Sequence, residues 1–152
     1  ENESAWGKYY SGEYAGKLVY GLPEVGDNRS AILKSNRVAN PGCYATAIIL
    51  GSAPAVNSNL VENENFISVA ASGTTGAGRN AKINLLASEV MNNMSPYKFG
   101  GSHQHTPEIE QALSKISGVA AKISFTPILA PMPRGILCQP LCIWRLESYW
   151  AL

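Results

Sequence analysis

The chain has 152 residues, 45% of them hydrophobic and 15% charged, with 12 Lys and Arg against 11 Asp and Glu for a formal net charge of +1. That length supports one compact domain with its own core and leaves little room for two, and the near-balanced charge leaves no electrostatic footprint for nucleic acid or an anionic membrane surface. No apolar run approaches the roughly 20 residues that span a bilayer and the opening ENESAWGKYY lacks signal-peptide organisation, so a soluble, cytoplasmic protein without a membrane partner is expected.

In chain order, residues 1–30 read as mostly loop, with Tyr9, Tyr10 and Tyr14 set among glycines without a helical or strand period. The first residue is Glu1, and the opening reads as a chain entered in its middle. A short strand is predicted at residues 17–20, a turn-rich connection at 21–28, and a second short strand in RVAN, because the residue before Pro41 is pushed toward extended backbone. From Cys43 apolar residues run as a helix to about Ser52, where Pro54 is expected to stop it. FISVAAS has the composition of a buried strand and leads directly into the glycine-rich SGTTGAGR.

NAKINLLASEVMNN has helix-forming composition, with Ile83, Leu86 and Val90 spaced for one face. HTPEIEQALSKISG carries the clearest local signal. Thr106 suits the N-cap, Pro107 the first helical position and Glu108 and Glu110 the positive end, while Ile109, Leu113 and Ile116 form a stripe that Gly118 ends. AKISFTP alternates with period two as a half-buried strand does, and RGILCQPLCIW is a further strand interrupted by Pro140. Strands and helices mixed without strict alternation predict an α+β fold, a mixed open sheet with helices packed on it.

Three groups of residues could carry chemistry. Cys43 follows a Pro-Gly turn at a helix start, where unsatisfied N–H groups and the positive end of the helix dipole favour a thiolate. The plainer alternative is a small buried hydrophobe, and it is the better reading for Cys138 and Cys142 in their apolar run. Three cysteines without a C-x-x-C pair suggest neither a disulfide framework nor a zinc ribbon. The only two histidines, His103 and His105, are two residues apart just before a helix, so in extended backbone they would point the same way. They are either proton-transfer groups, polar residues leading into a cap, or, with Glu108, three ligands of a metal-dependent hydrolase. The third group is residues 72–79, whose glycines would let backbone N–H groups approach an anion with Arg79 adding charge. It lacks the G-x-G-x-x-G order of a dinucleotide fingerprint. Thiol, imidazole and anion cradle together suggest acyl transfer through a thioester.

YGLPEV, NPGCYATA, ASGTTGAGR, HQHTPEIEQ and FTPILAPMPRGIL stand in the order and approximate spacing of the N-acetyl-gamma-glutamyl-phosphate reductases, and over about residues 15 to 137 the chain resembles that family. The resemblance implies a fold similar to aspartate-semialdehyde dehydrogenase, in which a Rossmann domain binds NADPH and an α+β domain carries catalytic residues and subunit contacts. It implies a homo-oligomer acting on a small acyl phosphate in arginine biosynthesis. A cysteine displaces phosphate to form a thioester, and hydride from NADPH reduces this to a thiohemiacetal that releases N-acetylglutamate semialdehyde. Carried over by motif, Cys43 is the nucleophile and His103 the proton-transfer group. Substrate contacts fall to His105, Glu108 and Arg134, contacts with the nicotinamide end of NADPH to Ser72, Gly73, Gly76 and Arg79, and no metal is implied. The lysine-pathway N-acetyl-aminoadipyl-phosphate reductases, whose substrate is one methylene longer, are an alternative that a pocket separates by only about 1–3 kcal/mol.

Against that family, a Rossmann domain before Glu1 is expected to be missing. After Leu137 the run CQPLCIWRLESYWAL departs from the pattern, with Trp144, Tyr149 and Trp150 expected to be exposed. The expected organisation is a partial catalytic and dimerisation domain over 1–137 and an atypical tail over 138–152. A partial gene product with a frame shift near residue 138 would explain that tail, and the fragment alone is expected to be inactive or to act only as an association module.

Overall fold

The computed structural model describes residues 3–10 and 12–145. Its opening elements are short: α1 (Glu3–Tyr9), β1 (Val19–Tyr20), α2 (Asn28–Leu33) and β2 (Val38–Ala39). The helix α1 falls where loop was expected. It buries none of its residues, and local aromatic contacts hold it: Trp6 stacks on Tyr10 one turn later with ring centres 4.8 Å apart, and Trp6 Nε1 donates to the Gly12 carbonyl at 3.1 Å. Strands β1 and β2 pair in parallel, Val19 with Val38 and Tyr20 with Ala39, and deliver the chain to Pro41.

The long helix α3 (Cys43–Asn57) runs past Pro54, which was expected to end it. Proline costs a helix the bond to the carbonyl four residues back. Here that carbonyl belongs to Leu50, an exposed residue, and Pro54 lies in the last turn of the helix. Tyr44, Ala45, Ile48, Ile49 and Val56 form its buried side.

Strand β3 (Phe66–Ser72) covers FISVAAS, but only one of its faces is buried: Phe66, Ser68, Ala70 and Ser72 point into the core, and Ile67 and Val69 point out. The segment expected as one helix over NAKINLLASEVMNN breaks into a turn at Ile83–Leu85 and the single-turn helix α4 (Ala87–Val90), separated by Leu86 in extended backbone (ψ 147°). Ile83 is 80% and Leu86 52% exposed. Short helices hold through tertiary packing, and here only Val90 reaches a core.

After β4 (Ser95–Pro96) comes α5 (Thr106–Ser117), whose Ile109 and Leu113 are fully buried and whose Gly118 closes it in left-handed backbone (φ 74°). The helix begins one residue earlier than a Thr106 cap requires: His105 holds the cap position, and Thr106 is the first helical residue. Strands β5 (Ile123–Leu129) and β6 (Ile136–Leu141) complete a four-stranded sheet in the order β4-β5-β3-β6. β3 runs parallel to β5, pairing Phe66 with Ile123 and Ser72 with Leu129, and antiparallel to β6. Pro140 lies within β6, not between two strands, because β6 is an edge in this order and a residue there can do without one ladder N–H.

The sheet is mixed, with α3 and α5 on one face, as the α+β reading holds. Strand β6 crosses position 137, and a bridge between Val61 and Trp144 carries pairing beyond it. Trp144 is half exposed, while Tyr149 and Trp150 lie outside the described residues. No described helix is long and apolar enough to cross a membrane.

Phe66, Phe125, Ile48, Ile49, Ile109 and Leu113 sit at the junction of sheet and helices with almost no exposure. Leu113→Ala therefore leaves a cavity that both helices border, at an expected cost of about 2–5 kcal/mol. Urea unfolding checks this as a lowered midpoint with an unchanged slope.

Candidate active site

The parallel strands β3 and β5 end side by side at Ser72 and Leu129, and residues from the starts of α3 and α5 lie at that same end. Such carboxyl ends are where open sheets with parallel strands place their sites. Between them lies a cleft of about 480 Å³ lined by Cys43, Ser72, His103 and their neighbours.

Cys43 is exposed, at the first position of a 15-residue helix. Its N–H neighbours in the first turn have no partners from a preceding turn, and the aligned peptide dipoles place partial positive charge beside the sulfur. Gly42 caps the helix in extended backbone (φ −66°, ψ 150°), and its carbonyl accepts both the N–H and the hydroxyl of Thr46 at 2.8 and 2.9 Å. No positive φ demands glycine there. Space does, because a Cβ on residue 42 would stand 2.6 Å from Cδ2 and Cε1 of His105 and closer still to Nε2.

Glu108, in the first turn of α5, reaches back to the same turn. Its Oε1 accepts the Gly42 N–H at 2.9 Å and the Tyr20 hydroxyl at 2.7 Å, and the side chain is buried. The carboxylate expected to touch substrate lies outside the cleft and ties β1 and α5 to the turn before Cys43. Proximity of the two helix starts, invisible in the sequence, redirected it.

His103 and His105 lie in a turn, not an extended segment, and their rings meet nearly edge to face with centres 4.7 Å apart. His103 is only 4% exposed, packed edge-on against Tyr44 at 5.5 Å and Phe125 at 5.1 Å. Burial, then the charges of His105 and Lys98, push its pKa down to about 4, so the ring is neutral near pH 7. Its Nδ1 accepts the His105 N–H at 3.1 Å, which assigns the ring proton of the neutral form to Nε2. Burial also lowers the pKa of His105 against the raising effect of Glu108, with Lys98 adding to the decrease. Tyr97 donates to the Tyr44 hydroxyl at 3.0 Å, and Tyr44 to the Ile128 carbonyl at 3.3 Å, which fixes the wall behind His103. Burial raises the pKa of both phenols, keeping them protonated.

Among the expected site residues, Cys43, His103, His105, Ser72, Gly73 and Gly76 come together in the cleft. Arg79 and Arg134 are exposed and do not line it. The glycine-rich run was expected to offer free N–H groups, but they are spent within the chain: Gly73 donates to the Gly135 carbonyl at 2.9 Å, Thr74 to Met132 at 3.0 Å, Thr75 to Pro133 at 3.2 Å and Gly78 to Thr75 at 3.3 Å. Gly73 is required by close approach, since its Cβ would stand 2.6 Å from the backbone nitrogen of Arg134. His103, His105 and Glu108 do not converge as metal ligands, and the described residues hold no group of three His, Cys, Asp or Glu side chains placed to do so. Sequence reasoning missed Tyr44, Tyr97, Lys82 and Lys98, all of which line the cleft. Of these only Lys82 lay in the run read as a helix, residues 80–93.

Residues 43–146 match the family model described as semialdehyde dehydrogenase, dimerisation domain. The chain is 58% identical over 134 residues to an N-acetyl-gamma-glutamyl-phosphate reductase of Acidothermus cellulolyticus, covering 88% of this chain and 39% of that protein. It is 54% identical over 136 residues to one of Streptomyces avermitilis, covering 90% and 40%. The chain thus spans about two fifths of the length of these curated relatives. Aspartate semialdehyde dehydrogenase II from Vibrio cholerae shares the fold with a TM-score of 0.63 at 16% identity, over 82% of this chain and 44% of that one. The Candida albicans aspartate semialdehyde dehydrogenase with NADP has a TM-score of 0.56 at 12% identity, over 82% and 39%.

The neutral, buried His103 has a consequence for stability. Between about pH 6.5 and about pH 4 the unfolded chain takes up a proton that the folded chain refuses, so stability is complete above that window and falls as the pH drops through it. His103→Asn keeps an acceptor for the His105 N–H and removes the titration. Urea unfolding at pH 7 and pH 4.5 is expected to show a loss smaller in the variant by roughly 1–3 kcal/mol, and equal losses would contradict the assignment.

Proposed function

This chain belongs to the semialdehyde dehydrogenase dimerisation-domain family, and from that premise we propose that it is the catalytic and subunit-contact part of an N-acetyl-gamma-glutamyl-phosphate reductase. The observation that carries the reading is an exposed thiol at a helix start, in one cleft with a neutral imidazole, in a chain 58% identical to a protein of that name. The reaction is the NADPH-dependent reduction of N-acetyl-gamma-glutamyl phosphate to N-acetylglutamate semialdehyde, a cytoplasmic step of arginine biosynthesis.

Cys43 supplies the nucleophile. Its sulfur attacks the acyl carbon, phosphate leaves, and the thioester remains on sulfur. His103 enters with its proton on Nε2 and gives a hydrogen bond to the carbonyl oxygen as negative charge develops there. With Nδ1 occupied by the His105 N–H, the neutral ring is a hydrogen-bond donor at Nε2. Its low pKa makes the positively charged form costly, which suits a group that returns a proton readily.

Bound NADPH would supply hydride to the thioester. Ser72, Gly73 and Gly76 form a wall poor in side chains, where a Cβ on Gly76 would stand 3.3 Å from the Ser72 hydroxyl. With its backbone donors spent, this wall fits a flat ring laid against it and not a phosphate cradled in it. Ser72, Gly73 and Gly76 would hold the nicotinamide end of the coenzyme there.

The face of the sheet away from α3 and α5 gives the reading its partner. Ile67, Val69, Leu137 and Leu141 are exposed there, Leu137 at 74%, and their registers place Ile67 beside Leu141 across β3 and β6. Such a face suits a second copy of the chain.

Two experiments test the reading. Incubating the chain with N-acetyl-gamma-glutamyl phosphate and no coenzyme should place an N-acetylglutamyl group on the Cys43 peptide, found by mass spectrometry, and Cys43→Ser should abolish it. A substrate that releases phosphate without labelling Cys43 sinks the thioester. Leu137→Asp should weaken self-association at least tenfold by sedimentation while leaving circular dichroism unchanged, and an undisturbed oligomer removes the sheet face as the interface.

A further inference from the structure

The cleft must accept an anion, yet the segment expected to hold one has no N–H group to spare at Gly73, Thr74, Thr75 or Gly78, and Arg79 is not in its lining. Positive charge comes from two lysines instead, Lys82 and Lys98, against the single carboxylate of Glu89. Lys98 is the better held. Its Nζ donates to Gln104 Oε1 at 3.0 Å, which fixes the ammonium beside the residue that separates the two histidines. Its backbone is left-handed (φ 44°), a conformation that costs an L-residue of this kind about 1 kcal/mol. Gly100 and Gly101, which adopt positive φ freely, follow within three residues, so the bend alone does not call for a lysine. The side chain does. Its charge is also felt by both imidazoles, which places it near the reacting centre.

We propose that Lys98, held by Gln104, binds the phosphoryl group of the acyl phosphate and receives it as the leaving group. The inference rests on the acyl-transfer reading of the same cleft. When the Cys43 sulfur bonds to the acyl carbon, the bond from that carbon to the phosphate oxygen breaks, the electron pair leaves with the oxygen, and the thiol's proton ends on the released phosphate. The phosphate is attached directly to the carbon under attack, so its cation must stand at the histidine end of the cleft, as Lys98 does. A cation there stabilises charge on the leaving oxygen as it develops. Lys82, on the turn leading into Ile83–Leu85, remains for the more distant carboxylate of the substrate.

Titration of the native chain with inorganic phosphate, followed by the ring resonances of His103 and His105, reads this site directly. Both rings are expected to shift with saturation. Lys98→Asn, which keeps a residue at ease in left-handed backbone and removes the charge, should weaken phosphate at least tenfold, and Lys98→Arg should restore most of the loss. Circular dichroism of each variant controls for folding, and the arginine variant supplies the comparison if the asparagine variant unfolds. Unchanged affinity in Lys98→Asn, a loss confined to Lys82→Gln, or no saturable shift in the parent each overturns the proposal. Acylation of Cys43 is measured separately. A chain that is acylated normally but fails the phosphate test loses this inference alone, and one that binds phosphate through Lys98 but is never acylated loses the reductase reading.

Discussion

One carboxylate oxygen holds the site together. Oε1 of Glu108 accepts from the backbone N–H of Gly42 and from the hydroxyl of Tyr20, so a residue in the first turn of α5 fixes the turn that introduces α3 and the strand that precedes both. A buried carboxylate is tolerated only when such donors replace water, and two charge-assisted bonds do so here. The position of Cys43 then follows from α5, because it is one residue past the tethered N–H. The histidines follow from the same place, since they end the segment that leads into α5. A single constraint therefore sets both the sulfur and the imidazoles, which lie 60 residues apart in sequence.

Close backbone approach is the second constraint, and it explains two glycines. Gly42 makes room for the His105 ring, and Gly73 for the backbone at Arg134. In both cases φ lies in a range open to any residue, near −66°, so these positions are set by tertiary contact and not by local conformation. The consequence is a site whose walls are backbone at two points. There it can shift little, while the exposed turn at Ile83–Leu85 and α4 border the same cleft with few buried contacts. Rigidity is concentrated at the thiol and imidazole side, where geometry decides reaction rate.

Much of this was legible in the sequence for physical reasons. AKISFTP alternates because its strand is half-buried, the stripe of Ile109 and Leu113 faces the sheet, and Gly118 ends α5 in the backbone it alone adopts cheaply. Cys43 after Pro-Gly was readable because local rules govern helix starts. Three features were not. Pro54 was read as a terminator because nothing in the sequence says that the carbonyl it deprives belongs to an exposed residue, Leu50. Residues 80–93 have helical composition but little core to pack on, and burial, which propensity cannot see, decided their structure. The glycine-rich run was read as a cradle because its glycines are local, whereas the carbonyls at residues 132, 133 and 135 that occupy its donors arrive from another strand connection.

These misreadings have one cause, and it bears on how the site handles charge. A sequence shows donors and charges but not which of them are already spent. Among residues 72–79 the donors saturate one another's neighbours, and Arg79 stays in solvent. Lys98, in an unremarked loop, carries its charge into the cleft. Burial first, and that charge after it, lowers the pKa of both histidines, so in the proposed reading cation and imidazole do not compete for one anion. Gln104 separates the fixed positive charge from the imidazole by one hydrogen-bonded residue, which under the proposed function lets one small cleft hold an anion beside a neutral imidazole.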